Sequence, residues 1–170
     1  METFMAAKTL QDLFIHELSD IYSAEKQLAR ALPRLARAAT NPKLAEAFQL
    51  HLEETHGQIE RIDQVVELCD IKLKRIKCAA MEGLVEEGKE VIEEIDKGPV
   101  LDAALIAAAQ KVEHYEIASY GTLCTFARRA GFKEAEKLLY QTLQEEKSTD
   151  DKLTKLAESE ANPEAQQKSK

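Results

Sequence analysis

Glu113 and Glu116 stand three residues apart in the run Lys111-Val112-Glu113-His114-Tyr115-Glu116-Ile117. Around them Leu105, Ile106, Ala109, Val112, Leu123 and Phe126 recur with a helical period, so both acids fall on the apolar side of a helix. A carboxylate among hydrocarbon side chains must lose its charge, meet a cation or bind a metal. Three other segments raise the same problem. Glu25 interrupts the series Phe14, Leu18, Ile21, Leu28, Leu32, Leu35, and Glu146 interrupts Ala135, Leu139, Thr142, Thr149, Leu153, Leu156. Glu54 lies in His51-Leu52-Glu53-Glu54-Thr55-His56-Gly57, on a segment whose core positions read Leu44, Phe48, Leu52, Thr55, Ile59, Ile62, Val66 and Cys69.

Carboxylates from four helices are what a centre of two metal ions needs. Hard cations such as iron or manganese take oxygen ligands, and bridging glutamates neutralise their charge. The usual set is a lone glutamate on two helices and Glu-x-x-His on the other two. Glu53-x-x-His56 has that spacing and His51-x-x-Glu54 reverses it, whereas Glu146-x-x ends on Thr149. Asp150 or water must then stand for the missing imidazole. The competing reading has no metal: the acids are solvated, protonated, or paired with cations such as Lys26 and Lys147, each of which follows a core-facing acid. Tyr22, Tyr115 and Tyr120 read as packing residues whose hydroxyls need partners.

These side chains need long helices to carry them. Runs rich in Ala, Leu, Glu, Lys and Gln, with six Gly and four Pro in the chain, favour helix and show little sign of strands. Thr9-Leu10-Gln11-Asp12 reads as a capped helix start, Pro33 as a kink or one lost hydrogen bond, and Asn41-Pro42 as cap and first residue of a second helix. A basic connector, Lys72 to Lys77, leads to a weaker helix from about Ala79 to Ile95, closed by Asp96-Lys97-Gly98-Pro99. This thirty-residue link is long enough to be a crossover that sets the next helix parallel to the second. The next helix spans about Val100 to Ala130 and stops at Gly131, and a last one carries Glu146. The expectation is an all-α four-helix bundle with a long crossover carrying a short fifth helix. It divides into an N-terminal extension (1–8), the bundle (9–158) and a polar tail (159–170) expected to fray.

Composition removes other classes. The formal net charge is −8 and basic residues are scattered, so no nucleic-acid partner is expected. No apolar run reaches the ~20 residues of a membrane span. Cys69, Cys78 and Cys124 are spaced like neither a disulfide framework nor a zinc module, and read as small apolar fillers. With no signal-peptide layout at the N-terminus, the expected compartment is the cytoplasm.

The segments Asp12 to His16, Tyr22-Ser23-Ala24-Glu25-Lys26-Gln27-Leu28, His51 to Arg61 and Ala104 to Leu123 closely resemble the YciE/YciF family of bacterial stress proteins, along most of residues 8–158. That family is similar in turn to ferritin-like proteins, rubrerythrin among them. The resemblance implies a ferritin-like bundle, a homodimer and a connection with stress responses, without a defined reaction. It aligns Glu25 with the lone acid of the first helix, Glu113 and Glu116 with the paired acids of the third, and Glu54 and Glu146 with bridging acids. On that register the two expected histidines fall at Gly57 and Thr149, with His56 and Asp150 one residue away. A two-metal centre of this kind, where catalytic, would act as an oxidase or peroxidase on oxygen or peroxide, with Tyr120 or Tyr115 orienting the oxidant.

Overall fold

The computed structural model describes residues 7–167, so most of the extension expected over 1–8 and the last three residues of the tail lie outside the described residues. Four long helices form the bundle: α1 (Leu10–Ala38), α2 (Pro42–Cys69), α4 (Pro99–Ala130) and α5 (Lys133–Leu156), with α3 (Ala79–Glu94) in the crossover. No strand occurs among the described residues. The starts follow local chemistry. The Thr9 hydroxyl accepts from Asp12 N–H while the Asp12 carboxylate accepts from Thr9 N–H, a reciprocal box that satisfies two orphan donors. Asn41 caps α2 ahead of Pro42. Gly131, at φ 82°, closes α4 in the left-handed region that residues with a Cβ avoid. Helix α1 continues through Pro33 to Ala38.

Short links make α1/α2 and α4/α5 antiparallel hairpins. Phe14 packs on Phe132 at one end of α1, and Thr40 just past its other end bonds Asp102 near the start of α4, so α1 and α4 are antiparallel too. Helix α4 therefore runs parallel to α2, and the 70–98 link is the crossover the sequence requires. Helix α3 covers α1 and α4. Its Leu84, Val85, Val91 and Ile92 pack on the chain's own core.

Past Ser159 the chain does not fray, contrary to the loss of pattern there. A π-helical turn (Ala157–Ala161) continues into α6 (Asn162–Gln167), and Ala161 is buried. Glu160 accepts from Asn41 Nδ2 at 2.9 Å and pairs with Lys43, which ties this segment to the α1/α2 turn. Long-range polar contacts of this sort leave no periodic trace in sequence.

Candidate metal centre

Each long helix delivers a polar group to one layer of the core. Helix α1 brings Glu25, α4 brings Glu113 and Glu116, and α5 brings Glu146, all of them buried. Their positions follow from helical register: Glu25 lies four residues after Ile21 and three before Leu28, on the stripe that faces the axis. From α2 come His51 and Gln58, both also buried. Donor atoms of His51, Glu113, Glu116 and Glu146 all lie within 4.8 Å of one another. His51 Nδ1 is 3.1 Å from Glu113 Oε1, outside hydrogen-bond geometry, and Nε2 is 3.9 Å from Glu146 Oε2.

Most of these groups lack partners. Both oxygens of Glu113 and of Glu116, one oxygen each of Glu25 and Glu146, His51 Nε2 and Gln58 Oε1 make no hydrogen bond. No lysine or arginine among the described residues reaches Glu25, Glu113, Glu116 or Glu146. Lys26 instead sits over the Tyr22 ring and Lys147 is exposed, so pairing with lysine is not what these acids do. An unpartnered buried polar atom costs about 1–3 kcal/mol, and carboxylates can only accept, so they cannot satisfy each other unless protonated. A cation among His51, Glu113, Glu116 and Glu146 would give each of these four a partner. The donor set, oxygen-rich with one imidazole, fits a hard or borderline divalent metal.

Burial, reinforced by Glu146, raises the Glu25 carboxyl to about 8, against the pull of the Tyr120 hydrogen bond. Burial pushes Glu113 and Glu116 well above the usual carboxylate range, with Glu146 adding to both. His51 is lowered by burial despite Glu146, which favours the neutral imidazole a metal takes. The surroundings fix some of the donors. Tyr120 O–H donates to Glu25 Oε1 at 2.5 Å, and Gln58 Nε2 donates to Glu146 Oε1. Arg61 grips Glu145 through two 2.9 Å bonds and clamps α2 to α5 beside the centre.

The remaining sequence candidates sit further out. Glu54 is half-buried and accepts from Thr149 Oγ1 at 3.2 Å, and His56 and Glu53 are exposed. Asp150 faces His114 Nε2 at 3.1 Å and Gln110 Nε2 at 3.2 Å on the bundle's flank. Tyr115 O–H donates to Asp20 at 2.5 Å and contacts Cys78, away from the converging carboxylates. The apolar pattern of α2 does not single out His51 or Gln58. Helix α2 buries Leu44, Phe48, His51, Thr55, Gln58, Ile62 and Val65, an unbroken alternation of four and three. A reading that preferred apolar residues chose Leu52, Ile59 and Val66, one position round the helix at three points. Keeping strict spacing would have exposed His51 and Gln58 as the polar interruptions.

The description "Domain of unknown function (DUF892)" covers residues 9–166. Protein YciF of Escherichia coli strain K12 is 66% identical over 165 residues, 96% of this chain and 99% of its own. The crystal structure of the Escherichia coli stress protein YciF superposes with a TM-score of 0.89 at 67% identity, covering 92% of this chain and 99% of that one. A Rhodopseudomonas palustris protein, YcfI, gives 0.86 at 44% identity over 89% and 97% of the two chains. A Xanthomonas campestris protein at 22% identity shares the fold, with a TM-score of 0.76 over 95% of this chain and 100% of its own.

Proposed function

Because this chain belongs to the DUF892 family, as a homologue of the stress protein YciF, and the family's description names no activity, we propose a function from the site itself. The protein is a cytoplasmic, ferritin-like stress protein whose bundle core binds two iron or manganese ions. One observation carries this reading: every unpartnered buried side-chain atom among the described residues belongs to this one layer. His51, Glu113, Glu116 and Glu146 would hold a first ion, and Glu25 with shared carboxylates would serve a second. Bound there, such ions supply Lewis acidity and single-electron steps toward oxygen or peroxide.

The chain's own residues prepare that chemistry. Tyr120 holds Glu25 and Gln58 holds Glu146, the kind of outer support that fixes a ligand's direction. The protons on Glu25, Glu113 and Glu116 leave when a cation arrives, so occupancy is coupled to pH. A homodimer accords with the kinship to YciF, and light scattering tests it.

Elemental analysis of protein purified without a histidine tag tests the centre. Near-stoichiometric iron or manganese, lost in the variant carrying Glu113→Gln and Glu116→Gln, supports it; unchanged metal content in that variant refutes it. A second reading is favoured by the raised carboxyl groups: a non-enzymatic stress protein whose acids are simply protonated. It expects no bound metal and a melting temperature indifferent to iron, manganese or a chelator.

A further inference from the structure

A cavity of about 330 Å³ opens between α1, α3 and α4 and reaches His51 and Glu113 at its inner end. That volume lies in the range that takes a small organic molecule and far exceeds what oxygen or peroxide requires. Interiors are close-packed, so a space of this size in a small bundle needs a cause. Small residues make it: Ala31 of α1, Gly88 of α3, and Ala108 and Ala109 of α4 stand on its walls where a bundle ordinarily places leucine. Gly88 lies mid-helix, where glycine costs about 0.5–1 kcal/mol relative to alanine. A Cβ there would meet only Leu35 Cδ2 at 3.9 Å, an ordinary contact, so packing does not demand the glycine.

The rest of the wall is aliphatic, with Leu28, Leu32, Leu84, Val85, Ile92 and Val112. Apart from His51 at the inner end, its one uncharged polar side chain, Gln27, is already bonded to Ser23 Oγ and the Cys78 carbonyl. Sugars and nucleotides, which need rows of donors, do not suit such walls. The charged lining residues apart from Glu113 are cations. Arg34, Lys77 and Lys89 are held by Glu93, Glu82 and Glu86, whereas Arg30 has no carboxylate partner among the described residues.

We propose that this cavity binds a linear aliphatic carboxylic acid, its head at Arg30 and its chain directed inward toward His51 and Glu113. Binding itself follows from the cavity alone. Only the idea that the bound chain is presented to a metal centre rests on the function proposed above.

Calorimetric titration of the full-length protein, metal-free and metal-loaded, with decanoate and with decanol tests this. Saturable binding of one decanoate per chain is expected, with decanol weaker by about tenfold, the worth of one charged hydrogen bond. Arg30→Gln should remove that discrimination. Ala108→Phe should abolish binding of both probes while metal content stays at the wild-type level. Gly88→Leu, in a different helix, guards against a folding defect, each variant being checked by its melting curve. Failure of decanoate to saturate the wild type, or wild-type binding by both folded filling variants, overturns the proposal. Decanoate binding by a protein that takes up no metal would leave the pocket standing and sink the metal centre, and metal without decanoate binding would do the reverse.

Discussion

Two places in this bundle bury carboxylates equally well and treat them in opposite ways. Asp102, in the first turn of α4, is 1% exposed and accepts from Thr40 N–H at 2.7 Å, Thr40 O–H at 2.5 Å and Asn41 N–H at 2.9 Å. It fastens the turn between α1 and α2, and the positive end of its own helix favours its charge. Glu113 and Glu116, both fully buried on the same helix, accept nothing. Burial alone therefore does not mark a ligand. What separates the structural acid from the candidate ligands is the supply of donors: Glu113 and Glu116 receive none, and Glu25 and Glu146 each keep one oxygen without a partner.

The sharpest way to break this contrast is to remove each kind of acid in turn. Replacing Glu113 and Glu116 by glutamine should eliminate bound metal and, in the metal-free protein near pH 8, raise unfolding free energy by about 1–3 kcal/mol. Glutamine is neutral without taking up a proton, as the buried acids must at that pH. Asp102→Ala should act with the opposite sign, destabilising by about 3 kcal/mol because two backbone N–H groups lose a charged acceptor, with metal content unchanged. Denaturant melts and elemental analysis of the same preparations read both effects. Equal destabilisation by the two changes would erase the distinction.

A more gradual effect comes from pH. The Glu25 carboxyl is raised to about 8 in the folded chain, above its ordinary value of 4.5, so the native state holds a proton the unfolded state gives up. The associated stability is complete below pH 4.5 and is lost as pH climbs through 8. The metal-free protein should thus weaken across that window, by at most about 1.4 kcal/mol per pH unit for this one group. Metal needs the deprotonated acids, so stabilisation by added metal should grow over the same range. A metal-free stability that is flat across the window would contradict the assignment.

Much of this arrangement was legible in the residues. The stripes of α1, α4 and α5 were read in register because Phe14, Leu18, Ile21 and their counterparts are apolar on both sides of each interrupting acid. Asn41-Pro42 and Gly131 mark real helix ends, since capping is local chemistry that a short stretch of sequence contains. Two features escaped. The segment after Ser159 is anchored through Glu160 to Asn41 and Lys43, more than a hundred residues away, and no local pattern encodes such a contact. On α2 the core stripe is itself polar at His51 and Gln58, so hydrophobic preference pulled the reading round the helix and gave Glu54 the central place.

That register sets the smallest effect and the finest test of the comparison. Glu54 stands between the two kinds of acid: it is half-buried, and its one side-chain partner is the Thr149 hydroxyl. Burial raises its carboxyl somewhat, but solvent reaches it. Glu54→Gln should therefore change stability by no more than about 0.5 kcal/mol and leave metal content as it was. His51→Leu, three residues earlier, should cut metal retention, because the imidazole is the one nitrogen donor of the converging set. Metal lost from the Glu54 variant and kept in the His51 variant would mean that α2 serves the centre through the apolar register after all.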